Sequence, residues 1–149
     1  KSGRDVKREP DYSKQGLRRN GSDDLQGSYI EVSLDKQYLW LYKNGKLVTE
    51  TDIISGLPSE GLQTYRGSWP IAYKARPFTL SSDIYGYEVE VEYWMPFVYG
   101  QGLHDADWQD VFGGELYKTK GSHGCINLPK EQAKIIYDTI EAGYPIIIY

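Results

Sequence analysis

The stretch YIEVSLDKQYLWLYKNGKLVTETDIIS, residues 29–55, decides the fold class. Its short runs of aliphatic and aromatic residues are separated by Asp35-Lys36 and by Asn44-Gly45. Asn-Gly between two such runs is a strong hairpin signal, because both residues tolerate the positive φ angles of a type I′ turn. We therefore predict that a three-stranded β-meander opens the domain.

The chain beyond the meander also favours β-structure. The full sequence contains 16 Gly, and 14 Tyr against 3 Phe, a composition typical of many turns and of strands rich in aromatic residues. Residues 56–82 are rich in Gly, Pro and Ser and predict loops with short strands. Residues 87–99 predict a strand in which apolar side chains alternate with Glu88, Glu90 and Glu92, giving one buried and one acidic face.

One helix is predicted near the C-terminus. Pro129 suits a first helical turn and Gly143 suits a stop. Between them, apolar residues follow the i, i+3, i+4, i+7 spacing of a buried helical face: Ala133, Ile136, Tyr137 and Ile140. A final strand is predicted over residues 146–149.

The N-terminal segment differs from the rest of the chain. Residues 1–24 hold few apolar side chains among many charged ones, so they cannot bury enough surface to offset their ordering entropy. We expect a linker, or the tail of a preceding domain, followed by one domain over residues 25–149. The chain begins at Lys1 without a signal-like segment, so we expect an excised fragment or mature domain of a longer protein.

Charge and hydropathy narrow the function classes. The net charge of −4 gives no reason to expect nucleic-acid binding. No apolar run approaches the roughly 20 residues of a membrane span, so we expect no membrane contact by this fragment. The single Cys excludes an intrachain disulfide.

The residues that carry chemistry are concentrated around GSHGCINL, residues 121–128. Cys125 is the only Cys, and His104 and His123 are the only His. A thiol near pKa 8.5 is only slightly ionised at pH 7, so an adjacent imidazole would supply the proton acceptor for a nucleophile. Gly124 would let backbone N–H groups turn toward a substrate carbonyl as an oxyanion hole.

Other interpretations of these residues remain open. Cys125 could be a small buried apolar residue, and His123 could be a structural histidine. A zinc site formed by His104, His123 and Cys125 would need a fourth ligand such as Asp105 or a water.

Aromatic and basic residues flank the motif. Trp108 and Tyr99 could line a groove for an extended peptide, whereas Trp94 fits an ordinary sheet core. Lys118 and Lys120 could meet a substrate carboxylate or lie in a solvated loop.

The motif resembles that of the L,D-transpeptidase catalytic domain, also called the YkuD-like domain. The resemblance rests on SHGCINL at residues 122–128, on Leu103-His104-Asp105 upstream, and on LWLY and NGK in the meander. It extends over residues 29–149 and is strongest to the enterococcal members of the family. It implies a mainly β fold, a β-sandwich of mixed sheets with one short helix after the Cys motif.

The resemblance also implies roles for the site residues. Cys125 would be the nucleophile and His104 the base, with the backbone carbonyl of Ser122 orienting the imidazole. His123 and Gly124 would shape the oxyanion region.

Two positions depart from the pattern of many members of the family. These members have Gly where this chain has Asp105, and Arg where it has Asn127. We expect both to tune a substrate pocket, together with Trp108 and Tyr99.

The implied reaction is peptidoglycan cross-linking. Cys125 would attack the third residue of a tetrapeptide stem, release D-Ala, and pass the acyl group to a neighbouring stem to form a 3→3 cross-link. Carbapenems would acylate the same thiol, and no metal or organic cofactor is needed. We expect an extracytoplasmic enzyme of the cell wall or cell surface, with the full-length protein anchored in the membrane.

Three alternatives differ from this interpretation in the reaction catalysed or in the class of protein. Water as acceptor would give an L,D-carboxypeptidase. Another thiol acyl-transferase is disfavoured, because sortases need an Arg after the Cys and papain-like enzymes place Cys before His. A catalytically idle wall-binding module is disfavoured by the intact His104 and Cys125.

Overall fold

The computed structural model describes residues 27–82 and 86–149. The predicted linker, residues 1–24, lies outside the described residues. In chain order the strands are β1 (Tyr29–Ser33), β2 (Tyr38–Lys43), β3 (Lys46–Asp52), β4 (Gly67–Pro70), β5 (Phe78–Ser82), β6 (Tyr87–Val91), β7 (Trp94–Val98), β8 (Gln101–Asp105), β9 (Ile126–Leu128) and β10 (Pro145–Ile148). The helical elements are a 3₁₀ turn (Pro58–Glu60), α1 (Tyr117–Lys120) and α2 (Lys130–Thr139).

A five-stranded sheet contains the meander. Its order is β3-β2-β1-β10-β4, with β1 and β10 parallel and the other pairs antiparallel. Asn44 and Gly45 have φ angles of 53° and 78° at the β2–β3 turn, as a type I′ turn requires. The predicted three-stranded meander is therefore confirmed.

The site is built on a second, three-stranded sheet of order β7-β8-β9, in which β8 and β9 are parallel. The core lies between this sheet, the larger sheet and α2, and its fully buried members include Ile30, Leu41, Leu103, Ile126 and Ile136. A separate hairpin of β5 and β6 completes the described fold. The predicted fold class, mainly β with mixed sheets, is confirmed.

The prediction of one strand over residues 87–99 is wrong, because the segment forms β6 and β7 in different sheets. The break lies at Glu92 and Tyr93, whose backbone N–H groups donate to the carboxylate of Asp105 at 3.2 and 2.8 Å. Those N–H groups are therefore withdrawn from strand pairing. Up to the break the expected alternation holds, since the Glu side of β6 is exposed and the Val side is not.

The helix prediction is correct in its face and too long at its end. Ala133, Ile136 and Ile140 are fully buried, but α2 ends at Thr139 and Ile140 is already extended. The four-residue α1 was not predicted. Within residues 27–82 and 86–149, none of the helices has the length and apolar character needed to cross a membrane.

Candidate active site

Cys125 lies immediately before β9, at the end of a tight turn. Its Sγ is 3.8 Å from the carbonyl oxygen of Gly100, and the backbone of Gly102 also hydrogen-bonds the sulfur. Burial raises the pKa of the thiol to about 11, and the bond from Gly102 offsets only part of this effect. The resting sulfur is therefore a neutral thiol that needs a base to remove its proton.

His104 supplies an imidazole from the neighbouring strand. It lies on β8 opposite Asn127 of β9, two residues beyond Cys125 in the parallel pair. The ring is only 3% exposed and sits between Trp94 and Trp108, with ring centroids 6.1 and 5.9 Å away. Burial lowers the pKa of His104, so the ring is neutral near pH 7.

One hydrogen bond defines which ring nitrogen can act as a base. Nδ1 of His104 lies 2.7 Å from the carbonyl oxygen of Asp105. Since a carbonyl only accepts, Nδ1 carries the hydrogen and Nε2 holds the lone pair. A neutral imidazole with Nε2 unprotonated is the form that general-base catalysis requires.

A cavity of about 440 Å³ brings the two groups together. Six of the predicted site residues line it: His104, Trp108, Ser122, His123, Cys125 and Asn127. The β5–β6 hairpin also lines this cavity, through Leu80, Tyr87 and Val89. The cavity thus combines a thiol and an imidazole with apolar side chains, a combination that suits a peptide substrate.

The expected role of the Ser122 carbonyl is not observed. This carbonyl accepts from the backbone N–H of Leu57 at 2.9 Å, while the His104 ring is oriented by Asp105. Ser122 acts instead through its hydroxyl, which donates to the carbonyl of Cys125 and accepts from the N–H of Gly124. It therefore closes the turn that holds the nucleophile.

His123 and Gly124 have separate environments. His123 is exposed and stacks on Tyr87 with ring centroids 4.9 Å apart, so it joins the turn to the β5–β6 hairpin. Gly124 is buried with φ of +124°, a conformation that L side chains rarely adopt. The N–H of Gly124 is used by Ser122, so this group is not available as the expected oxyanion donor.

Two predicted pocket residues lie elsewhere. The carboxylate of Asp105 is buried and bound to the N–H groups of Glu92 and Tyr93, so it organises the strand break and does not face substrate. Tyr99 is 75% exposed at the β7–β8 turn and borders a different cavity of about 470 Å³. Its ring packs edge-on against Tyr65, 5.6 Å away.

Asn127 lies on β9 within the cavity wall. Its Nδ2 donates to Oε1 of Gln109 at 2.5 Å, and its buried Oδ1 has no hydrogen-bond partner among the described residues. A buried amide oxygen without a partner is costly, and a substrate N–H in the cavity could satisfy it.

The two lysines before the motif differ in position. Lys118 pairs with Glu115 at 3.2 Å and does not line the cavity, as expected for a solvated residue. Lys120 lines the cavity beside Ser122. Trp94, predicted as sheet core, is buried and stacked on Phe78 with ring centroids 5.3 Å apart.

Sequence reasoning missed the residues behind the turn. Thr64 and Gln101 are buried polar side chains that contact the Gly124 region from other elements. Thr64 lies in a loop without periodicity, and Gln101 follows a turn, so no local pattern marks either residue. For the zinc alternative, the described part of the chain contains no group of three His, Cys, Asp or Glu side chains that could hold a metal ion.

A family model described as the L,D-transpeptidase catalytic domain (YkuD) matches residues 27–148. A search of curated protein sequences gave no match.

Several solved structures are similar to this chain. A crystal structure of a Cys-to-Ser mutant of Enterococcus faecium L,D-transpeptidase is 42% identical with a TM-score of 0.78, and covers 83% of this chain and 50% of that one. The ertapenem-acylated catalytic domain of the E. faecium enzyme is 43% identical with a TM-score of 0.74, and covers 83% of this chain and 98% of that one. An L,D-transpeptidase from Stackebrandtia nassauensis is 31% identical with a TM-score of 0.66, covering 83% and 55%.

The chain spans about half the length of the E. faecium protein in the crystal structure and nearly all of its isolated catalytic domain. With a family match over residues 27–148, the chain belongs to the L,D-transpeptidase catalytic domain (YkuD) family.

Proposed function

We propose that this domain forms 3→3 peptidoglycan cross-links through a thioester on Cys125. One observation carries the proposal: the single thiol of the chain shares a cavity with a buried, neutral imidazole, that of His104. A thiol with a raised pKa is a poor nucleophile alone, and a base whose lone pair is already available overcomes this limit.

The first half-reaction transfers the donor acyl group. Nε2 of His104 accepts the proton of the Cys125 thiol while Sγ attacks the carbonyl of the third stem residue. The tetrahedral intermediate then collapses, the bond to the D-Ala amine breaks, and His104 returns the proton to that amine. The products are the Cys125 thioester and free D-Ala.

The second half-reaction uses the same groups in reverse. A side-chain amine of a neighbouring stem attacks the thioester carbonyl, and His104 accepts a proton from that amine. The C–S bond breaks and the proton passes to the departing sulfur, which regenerates the thiol. Each cross-link therefore releases one D-Ala and consumes no cofactor.

The proposal includes the position of the stem peptide. The apolar hairpin residues Leu80 and Val89 would contact the side chains of the donor, and Asn127 would accept a hydrogen bond from its backbone. Lys120 carries a positive charge at the cavity and would attract a stem carboxylate.

Partners and location follow from the same proposal. Because stem peptides belong to the cell wall, we propose that the domain acts outside the cytoplasm, at the cell wall or cell surface. We also propose that the full-length protein is anchored in the membrane. The E. faecium relative is acylated by ertapenem, and we propose the same fate for Cys125. The family match begins at residue 27, so we propose that residues 25–149 are sufficient for the reaction.

Incubation with a disaccharide-tetrapeptide tests the proposed reaction. Mass spectrometry should detect a tripeptide–tetrapeptide dimer and one free D-Ala per cross-link, and Cys125→Ala should produce neither. Tripeptide without dimer would instead favour the carboxypeptidase alternative. Absence of any D-Ala release by the folded enzyme would contradict both activities.

A further inference from the structure

A buried hydroxyl lies behind the turn that carries the nucleophile. Thr64 is 2% exposed, and its Oγ1 accepts from the backbone N–H of Gly56 at 3.0 Å. The same Oγ1 donates to the carbonyl oxygen of Gly124 at 2.8 Å. Because the Gly56 N–H can only donate, the direction of both bonds is determined, and the hydroxyl hydrogen points at Gly124.

The loop around Thr64 is held from a second side by Gln101. Its Oε1 accepts from the N–H of Tyr65 at 2.9 Å, and its Nε2 donates to the carbonyl of Gln63 at 3.2 Å. These bonds flank Thr64 on both sides along the chain. Gln101 also packs on Gly124, where an added Cβ would lie 2.6 Å from Nε2. Thr64 is thus held by Gly56 and, through its two chain neighbours, by Gln101.

The bond to Gly124 has a consequence for Cys125. The carbonyl of Gly124 and the N–H of Cys125 belong to one planar trans peptide unit, in which the two groups point in opposite directions. Anchoring the carbonyl on Thr64 therefore fixes the direction of the Cys125 N–H. In the described structure this N–H has no hydrogen-bond acceptor, whereas the preceding N–H of Gly124 is taken by Ser122.

We propose that Thr64 is a positioning residue that aims the Cys125 N–H at the oxyanion formed during acyl transfer. The hydrogen bonds run in one chain from the Gly56 N–H through the Thr64 hydroxyl to the Gly124 carbonyl, and the Cys125 N–H lies at the far end. The hydrogen bonds in such a chain polarise one another. Thr64 therefore both orients the Cys125 N–H and strengthens it as a hydrogen-bond donor. The inference rests on the proposed thioester chemistry of Cys125.

Two reactions of the same thiol separate this role from general damage. Acylation by a carbapenem passes through a tetrahedral oxyanion, so it needs the donor. Alkylation by iodoacetamide displaces iodide at a saturated carbon and forms no oxyanion. Because loss of an oxyanion donor costs about 10²–10³ in rate, a misaimed donor should cost about 10-fold or more in acylation and leave alkylation nearly unchanged.

The test compares both rates in Thr64→Val, which keeps the shape and removes the hydroxyl, and in Thr64→Ser, which keeps the hydroxyl. We expect Thr64→Val to lower the ratio of acylation to alkylation by about 10-fold and Thr64→Ser to restore most of it. Equal losses in both reactions, or no loss of acylation, would overturn the proposal. If Thr64→Val does not fold, Thr64→Ala provides the same ratio.

The wild-type enzyme distinguishes this inference from the proposed function. A wild type that neither releases D-Ala from the tetrapeptide nor is acylated on Cys125 removes the proposed function itself. A wild type that is acylated, with a Thr64→Val variant that reacts equally fast, leaves the function intact and removes only the role of Thr64.

Discussion

Replacing Gly124 with Ala should destabilise the domain strongly, because two costs combine at this position. The φ angle of +124° is strained for any L side chain, which costs about 1–3 kcal/mol. The new Cβ would also lie 2.6 Å from Nε2 of Gln101 and displace it from Gln63 and Tyr65. Losing two such hydrogen bonds costs about 1–3 kcal/mol in total. We therefore expect a loss of about 2–6 kcal/mol in the free energy of unfolding.

Gly61 provides the matched control. It also has a positive φ, +72°, but nothing lies within 4 Å of an added Cβ. Gly61→Ala should therefore cost only the backbone term, about 1–2 kcal/mol. Urea unfolding followed by tryptophan fluorescence measures both variants, and equal m-values would show that the same surface is exposed in each.

A double variant isolates the contact with the side chain. In a Gln101→Ala background the obstructing amide is gone, so Gly124→Ala should cost no more than about the strain of its backbone, 1–3 kcal/mol. The reasoning would be refuted if Gly124→Ala and Gly61→Ala were equally stable. It would also be refuted if the cost of Gly124→Ala were unchanged by removal of Gln101.

Three further predictions concern the chemistry of the site. His104→Ala should lower turnover in steady-state assays by about 10²–10⁴-fold, because it removes the base, whereas His123→Ala should retain substantial turnover. The reverse order would make His123 the base. Lys120→Gln should raise the KM for the tetrapeptide donor about 2- to 5-fold, while Lys118→Gln should leave it unchanged, because Lys118 pairs with Glu115 outside the cavity. Equal effects of the two variants would contradict the proposed contact between Lys120 and a stem carboxylate. Because burial raises the pKa of Cys125 to about 11, its alkylation rate should increase steadily from neutral to strongly alkaline pH, and a plateau near neutrality would show a preformed thiolate.

The parts of the fold that were predictable have local causes. The meander follows from Asn44-Gly45, whose turn geometry depends on two adjacent residues. The strand break at Glu92 and Tyr93 was not predictable, because the carboxylate that causes it belongs to Asp105, more than ten residues along the chain. A segment can therefore show the alternation of a single strand and still fold as two separate strands.

The same distinction applies to the site. Cys125 and His104 could be predicted because they are rare residue types and their chemistry is specific, and parallel pairing of β8 with β9 places them in one cavity. Tyr99 was assigned to the groove by proximity in sequence, but a two-residue turn directs it to another cavity. Thr64 carries no sequence signal, since its role depends on contact with Gly124, sixty residues away.

The central claim is that Cys125 is the nucleophile that becomes acylated. Intact-mass spectrometry after mixing with a carbapenem tests this claim most directly. The wild type should gain the mass of one carbapenem per chain, because it contains a single thiol. Cys125→Ala should gain none, with circular dichroism showing that the variant is folded. An adduct that persists on Cys125→Ala, or a folded wild type that remains unmodified, would contradict the account.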